Sequence, residues 1–262
     1  MCTYLAGSVI GRLSRLGWWL NAPTVLTMPD PVSDLVRLVR ARLAAAADPE
    51  RAEPMRAYMK SAMPYRGVTS VPLRALCRAA YDEHRLPDRD AWESAVRELW
   101  DGASYREERY AALALTRHRH YRAFQDPATL ALYRHLVVSG AWWDLVDPVA
   151  GHNVGDLLVA HPAALTPVLR DWAVDDDLWL RRTAVICQLH RTDDLDVDLL
   201  RHALEANLED SRHGREFFIR KAVGWALREY ARTDPAWVRA FVSTYDGRLS
   251  GLSRREALKR LG

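Results

Sequence analysis

The chain has 262 residues, 49% of them hydrophobic, and a formal net charge of +3, enough apolar material for one full core or an elongated repeat array. So mild a positive balance does not by itself call for nucleic acid. Three scattered cysteines (Cys2, Cys77, Cys187) make no CxxC pair and nine histidines show no HExxH or paired spacing, which excludes a disulfide frame, points to a reducing cytoplasm and assigns no metal.

Residues 1–27 carry Arg12, Arg15 and the pair Trp18-Trp19. They hold neither an apolar run long enough to span a bilayer nor a signal-peptide core with a small-residue cleavage site. They read as a disordered leader or an over-extended start, with a membrane-touching arm as the alternative. Met28-Pro-Asp-Pro-Val-Ser-Asp looks like a fresh start leading into a capped helix, which makes 28–262 the folded domain. Apolar residues then recur at i, i+3, i+4. They predict helices over Leu35–Ala47, Pro72–Glu83, Ala91–Trp100, Glu107–Thr116, Thr129–Ser139, Pro162–Trp172, Trp179–His190, Val197–Asn207, Phe217–Tyr230 and Ala236–Tyr245. Ser33, Asp126-Pro127, His161-Pro162 and Asp234-Pro235 mark helix starts. No segment alternates apolar and polar for long, so the fold class is all-α.

Between the fifth and sixth predicted helices lies Ala141-Trp142-Trp143-Asp144-Leu145-Val146-Asp147. On a helix Trp143 and Asp147 stand at i and i+4, so an indole face and a carboxylate share one space. That combination suits a cationic group or a cationic transition state. It also suits a buried tryptophan beside a capping or ion-paired aspartate. Two basic runs stand out. Arg106, Arg109, Arg117, Arg119 and Arg122 surround His118 and His120, and Arg248, Arg254, Arg255, Lys259 and Arg260 close the chain. Each is either a polyanion-binding surface or a solvated helix face.

Four helices share the triplet Arg-x-Ala: Arg109-Tyr110-Ala111, Arg182-Thr183-Ala184, Arg220-Lys221-Ala222 and Arg255-Glu256-Ala257. Their separations of 73, 38 and 35 residues fit a repeat of roughly 35–40 residues with two helices each, the pattern of a HEAT-like α-solenoid. The alanine lets neighbouring helices approach closely, and the arginine tip is expected to emerge on the groove face.

Several segments together carry a family resemblance. Ala57-Tyr58-Met59-Lys60-Ser61-Ala62-Met63-Pro64-Tyr65-Arg66-Gly67-Val68 resembles the opening motif of the AlkD-like DNA alkylation-repair glycosylases. The Trp142-Trp143 segment with Gly155-Asp156-Leu157-Leu158 resembles their central motif. Trp179-Leu180-Arg181-Arg182-Thr183-Ala184-Val185 and the block from Glu216 through Phe217-Phe218-Ile219-Arg220-Lys221 to Tyr230 resemble the next two. Leu252-Ser253-Arg254-Arg255-Glu256-Ala257-Leu258 resembles the closing one, so the likeness runs from about Leu35 to the C-terminus.

The resemblance implies a HEAT-like-repeat enzyme that excises N3- and N7-alkylated purines from duplex DNA and leaves an abasic site. It implies no metal or organic cofactor. The family's catalytic tryptophans, aspartate and arginine fall on Trp143, Trp225, Asp147 and Arg182, and a cleft tyrosine falls on Tyr58. Arg182 is expected to grip a backbone phosphate. Arg109, Arg220, Lys221, Arg254 and Arg255 are further candidates for DNA contact, though several of the basic residues would instead stabilise repeat interfaces. Some alternatives stay open on the residues themselves. Asp144 competes with Asp147 as the working carboxylate, and Arg181 with Arg182 as the outward arginine. Arg182 has Asp175, Asp176 and Asp177 within reach, and Trp225 fits a plain core. A monomer in the cytoplasm, associated with the nucleoid, is the expected setting; the alternative function is a non-catalytic HEAT-like DNA-binding protein.

Overall fold

The structure is a computed structural model and describes residues 30–261 apart from 190 and 193. The leader expected at 1–27 and the expected helix end at His190 lie outside the described residues. Every regular element among the described residues is helical. In chain order these are α1 (Pro31–Ala45), α2 (Pro49–Met59), α3 (Ser70–Glu83), α4 (Arg89–Asp101), α5 (Arg106–Thr116), α6 (Leu130–Gly140) and α7 (Trp143–Pro148). There follow α8 (Gly155–Ala160), α9 (Pro162–Trp172), α10 (Leu178–Ile186), α11 (Val197–Glu205), α12 (Phe217–Tyr230), α13 (Pro235–Thr244) and α14 (Gly251–Leu258). None of them is long and apolar enough to cross a membrane.

The helices form two layers, as an all-α helical-repeat array requires. In one layer α3, α5, α7, α10, α12 and α14 touch in succession. The other contains α1, α4, α6, α9, α11 and α13, each packed on the first, with α8 packed on α9. Large buried rings, among them Trp92, Trp100, Tyr81, Tyr121 and Tyr133, fill the space between the layers in the N-terminal half. All four alanines of the Arg-x-Ala triplets are buried, as close helix approach demands. The arginines do not behave alike: Arg182 is buried, Arg109 and Arg220 are partly buried, and only Arg255 is exposed.

The repeat period is written in ion pairs between successive first-layer helices. Arg106 of α5 binds Asp144 of α7, Arg182 of α10 binds Asp147 of α7, and Lys221 of α12 binds Glu256 of α14. The partners lie 38, 35 and 35 residues apart. At the last of these junctions Gly224 permits contact between backbones. A Cβ there would sit 2.6 Å from the Glu256 Cβ and 3.0 Å from the Ser253 carbonyl.

Helix boundaries follow the caps. Asp30, not Ser33, caps α1, accepting from the Val32 N–H at 3.1 Å with Pro31 in the first turn. Asp234 caps α13 through the Trp237 N–H at 2.8 Å. Helix α2 escapes the apolar pattern because it buries none of its residues. Beyond α7 the chain makes a π-helical turn over Val149–Val154. Pro148 has no N–H to continue the regular ladder, and such turns are frequent at functional sites.

Candidate active site

Helix α7 is six residues long and is set by what precedes it. Ala141 adopts a left-handed conformation (φ 42°) that ends α6, and Trp142 is extended. The Trp142 ring then packs edge-on to Phe218 at 5.2 Å and against Trp179 at 6.3 Å. This aromatic wedge joins the start of α7 to α10 and α12. One turn further on, Asp147 meets Arg182 in a bidentate pair. Nε donates to Oδ1 and Nη2 to Oδ2, both at 2.7 Å. Nη1 donates to the Phe218 carbonyl at 2.5 Å.

The Arg182 side chain is 5% exposed, and that of Asp147 is 15% exposed. A guanidinium so enclosed, with all three nitrogens engaged, is not extended to grip a phosphate. Its geometry instead fixes the direction of the carboxylate. None of Asp175, Asp176 and Asp177 is its partner: Asp177 caps α10, and Asp176 pairs with Arg212. Arg181 donates to the carbonyls of Val174, Asp175 and Ala206 and holds the loop before α10. Burial pushes the Asp147 carboxyl above the usual aspartate range, against the opposing pull of Arg182.

Trp143 stands at i−4 from Asp147 and is partly exposed. Trp225 is partly exposed on α12, two turns beyond Phe218 and one beyond Lys221. Both indoles pack against the core at one edge, and among the described residues neither makes a ring contact with another aromatic. The structure therefore joins Asp147 directly to Arg182 and places Trp143 one turn away. It links Trp225 to them only through α12, whose Phe218 carbonyl receives Arg182.

Asp144 is the other carboxylate of the motif and faces α5. Arg106 Nη2 reaches Oδ1 at 2.5 Å and Nε reaches Oδ2 at 3.1 Å. The Tyr110 hydroxyl donates to Oδ2 at 2.5 Å and is bonded to the Tyr65 hydroxyl at 2.8 Å. Burial and the Asp144 charge push the Tyr110 phenol far up, so it stays a donor. Arg106 and Tyr110 are partners that motif reading missed; their i, i+4 spacing on α5 is the available signal. Asp144, Tyr65, Tyr110 and the strongly exposed Tyr58 line a cavity of about 930 Å³ between α2, α3, α5, α7 and the π turn.

The remaining residues assigned to DNA divide by their contacts. Lys221 Nζ is 3.1 Å from Glu256, and Arg254 is bonded to Asp246. Arg109 lies over the Trp100 ring at 5.0 Å, with Nη1 on the Ser139 carbonyl at 3.4 Å. These three hold junctions within the array. Arg220 is partly buried, and its Nε has no hydrogen-bond partner. Arg255 is exposed on α14, and Arg122 and Lys259, one in each basic run, are exposed as well.

A family model described as "DNA alkylation repair enzyme" matches residues 39–261. Among solved structures, one described as "Predicted DNA alkylation repair enzyme from Enterococcus faecalis" is similar with a TM-score of 0.73 and 29% sequence identity. The match covers 82% of this chain and 97% of that one. No curated protein matches.

Proposed function

The chain belongs to the DNA alkylation repair enzyme family, and on that footing we propose that it is a monofunctional glycosylase of cationic N3- and N7-alkylated purines in duplex DNA. The observation that carries this reading is the Asp147 carboxylate, aimed by two hydrogen bonds from Arg182 beside the partly exposed Trp143.

An alkylated purine of this kind already carries a positive charge, so no strong acid is needed to expel it. As the bond from C1′ to the base nitrogen breaks, its electron pair passes to the purine and neutralises that charge. Positive charge then develops on C1′ and O4′ of the sugar. Asp147 offsets that charge and accepts the proton of the water that bonds to C1′, leaving a hydroxyl on an abasic sugar. Each carboxylate oxygen that accepts from Arg182 retains a lone-pair direction for that water.

Trp143 and Trp225 present π-faces to the developing cation. At roughly 0.5–2 kcal/mol per desolvated ring, the two supply on the order of five-fold to nearly a thousand-fold in rate. Arg182 acts through Asp147 as a positioning residue. Phosphate contacts fall to exposed donors, with the Arg255 guanidinium and the Tyr58 hydroxyl the best placed of the residues singled out in the sequence.

The test is incubation of the full chain with methylated duplex DNA and chromatography of the released bases. Release of N7-methylguanine or N3-methyladenine without strand cleavage is expected. Salt-sensitive binding of duplex DNA with no abasic sites formed would establish the binding-protein reading instead.

A further inference from the structure

Around the cavity that Asp144 of α7 also lines, the fold assembles a group of side chains that the proposed base release does not use. Asp82 lies in the last turn of α3. His118 and His120 flank Arg119 at the start of the 3₁₀ turn Arg119–Phe124. The His120 Nε2 is 2.7 Å from Asp82 Oδ1, and the His118 Nε2 is 3.6 Å from the same oxygen. One ligand atom from each residue falls within a sphere where all lie within 4.8 Å of one another.

His118 is the informative member. It is 9% exposed, and neither of its ring nitrogens has a hydrogen-bond partner. A neutral imidazole has one donor and one acceptor, and leaving both buried and unmet is costly. The ring is fixed by edge contacts to Tyr81 at 5.5 Å and His120 at 4.7 Å.

From this geometry we infer that Asp82, His118 and His120 form a site for one divalent first-row metal ion, of which zinc is the test case. Two imidazoles and a carboxylate are a common zinc ligand set, and they leave a fourth position open. The separations of 2.7 and 3.6 Å bracket the roughly 3.4 Å between ligand atoms of a tetrahedral zinc. Asp82 and His118 both line the 930 Å³ cavity, so the open position takes a water from that space. Arg119 donates to Asp82 Oδ1 at 2.9 Å and competes for the carboxylate. The site shares no residue with the Asp147–Arg182 pair and does not depend on the glycosylase reading.

The experiment is titration of the full chain with zinc alone against a chromogenic chelator, with cobalt absorption as a second readout and no DNA present. One equivalent of zinc should bind, and His118→Ala and Asp82→Asn should each weaken binding by about 100-fold or more. Arg119→Ala removes the competitor and should tighten it. His120→Gln, at a less buried position, repeats the test should His118→Ala fail to fold. Absence of a stoichiometric site in the wild-type chain overturns the inference. So does zinc affinity unchanged by His118→Ala or, if that variant does not fold, by His120→Gln.

Discussion

Asp144 and Asp147 lie one turn apart on α7, yet each is held by a different helix: Arg106 of α5 takes Asp144, and Arg182 of α10 takes Asp147. The short helix is thereby pinned from both sides at the middle of the array. The Asp144 side chain is 6% exposed, and the Tyr110 hydroxyl is on it as well. Asp147 is the more open of the two. On the proposed reading, that difference leaves the structural task to Asp144 and the chemical one to Asp147.

Asp147→Asn should therefore lower single-turnover base release by about 10²- to 10³-fold, the range for losing a preorganised electrostatic group. Duplex affinity should change by no more than a few-fold, because the carboxylate repels phosphate rather than binding it. Asp144→Asn should lower the melting temperature through the buried Arg106 left without its charge partner, a cost that Asp147→Asn shares through the equally buried Arg182, but it should leave base release much closer to wild type. Equal release by Asp147→Asn and wild type would remove Asp147 from the mechanism.

Arg182→Lys separates positioning from phosphate binding. An ammonium is a point charge and cannot make the two parallel bonds to Asp147 at 2.7 Å together with the bond to Phe218. The turnover rate should fall with little change in KM, and the salt dependence of duplex binding should match wild type. A phosphate contact would instead reduce the slope of log K against log salt by about one on going to Arg182→Ala.

The acid limb of the pH–rate profile should lie above the ordinary aspartate value of 3.8. Burial favours the neutral acid, and the active form is the carboxylate, so activity rises as pH increases through this raised pKa. The stability linkage has the opposite sign. A group with a raised folded-state pKa contributes most to stability below its unfolded pKa and loses that contribution as pH rises through the folded value. Wild type should thus gain activity and shed this increment of stability over one pH window. Asp147→Asn should show neither change there, which paired activity and thermal-unfolding profiles will reveal.

Local pattern carried much of the fold. Pro162–Trp172 and Phe217–Tyr230 have the ends that apolar spacing and caps assign them. Helix α2 was illegible because it buries nothing, and the π turn because its cause is the single Pro148. At the candidate site, the shared face of Trp143 and Asp147 follows from spacing alone. The partner of Arg182 does not, since Asp147 is 35 residues away and three closer aspartates compete. Lys221 and Arg254 look like free cations in the sequence, but tertiary packing places Glu256 and Asp246 against them. His118 and His120 carry no metal signature by spacing because their third partner, Asp82, arrives from another helix.

Gly224 tests the closeness of α12 and α14 that aligns the end of the array. A methyl group there meets the Glu256 Cβ at 2.6 Å, the Ser253 carbonyl at 3.0 Å and the Ser253 Cα at 3.1 Å. Two of those three atoms are backbone, so the helices must separate rather than a side chain turn aside. Gly224→Ala should destabilise by about 1–3 kcal/mol, the usual cost of overpacking, despite alanine's better helix propensity. For a domain of this size that is a fall of roughly 2–12 °C in melting temperature, read by circular dichroism. The displacement also stretches Lys221 from Glu256, now 3.1 Å apart, and shifts the exposed Arg255 on α14. Duplex binding should therefore weaken together with stability, while Gly247→Ala, where no atom lies within 4 Å of the added methyl, should change neither.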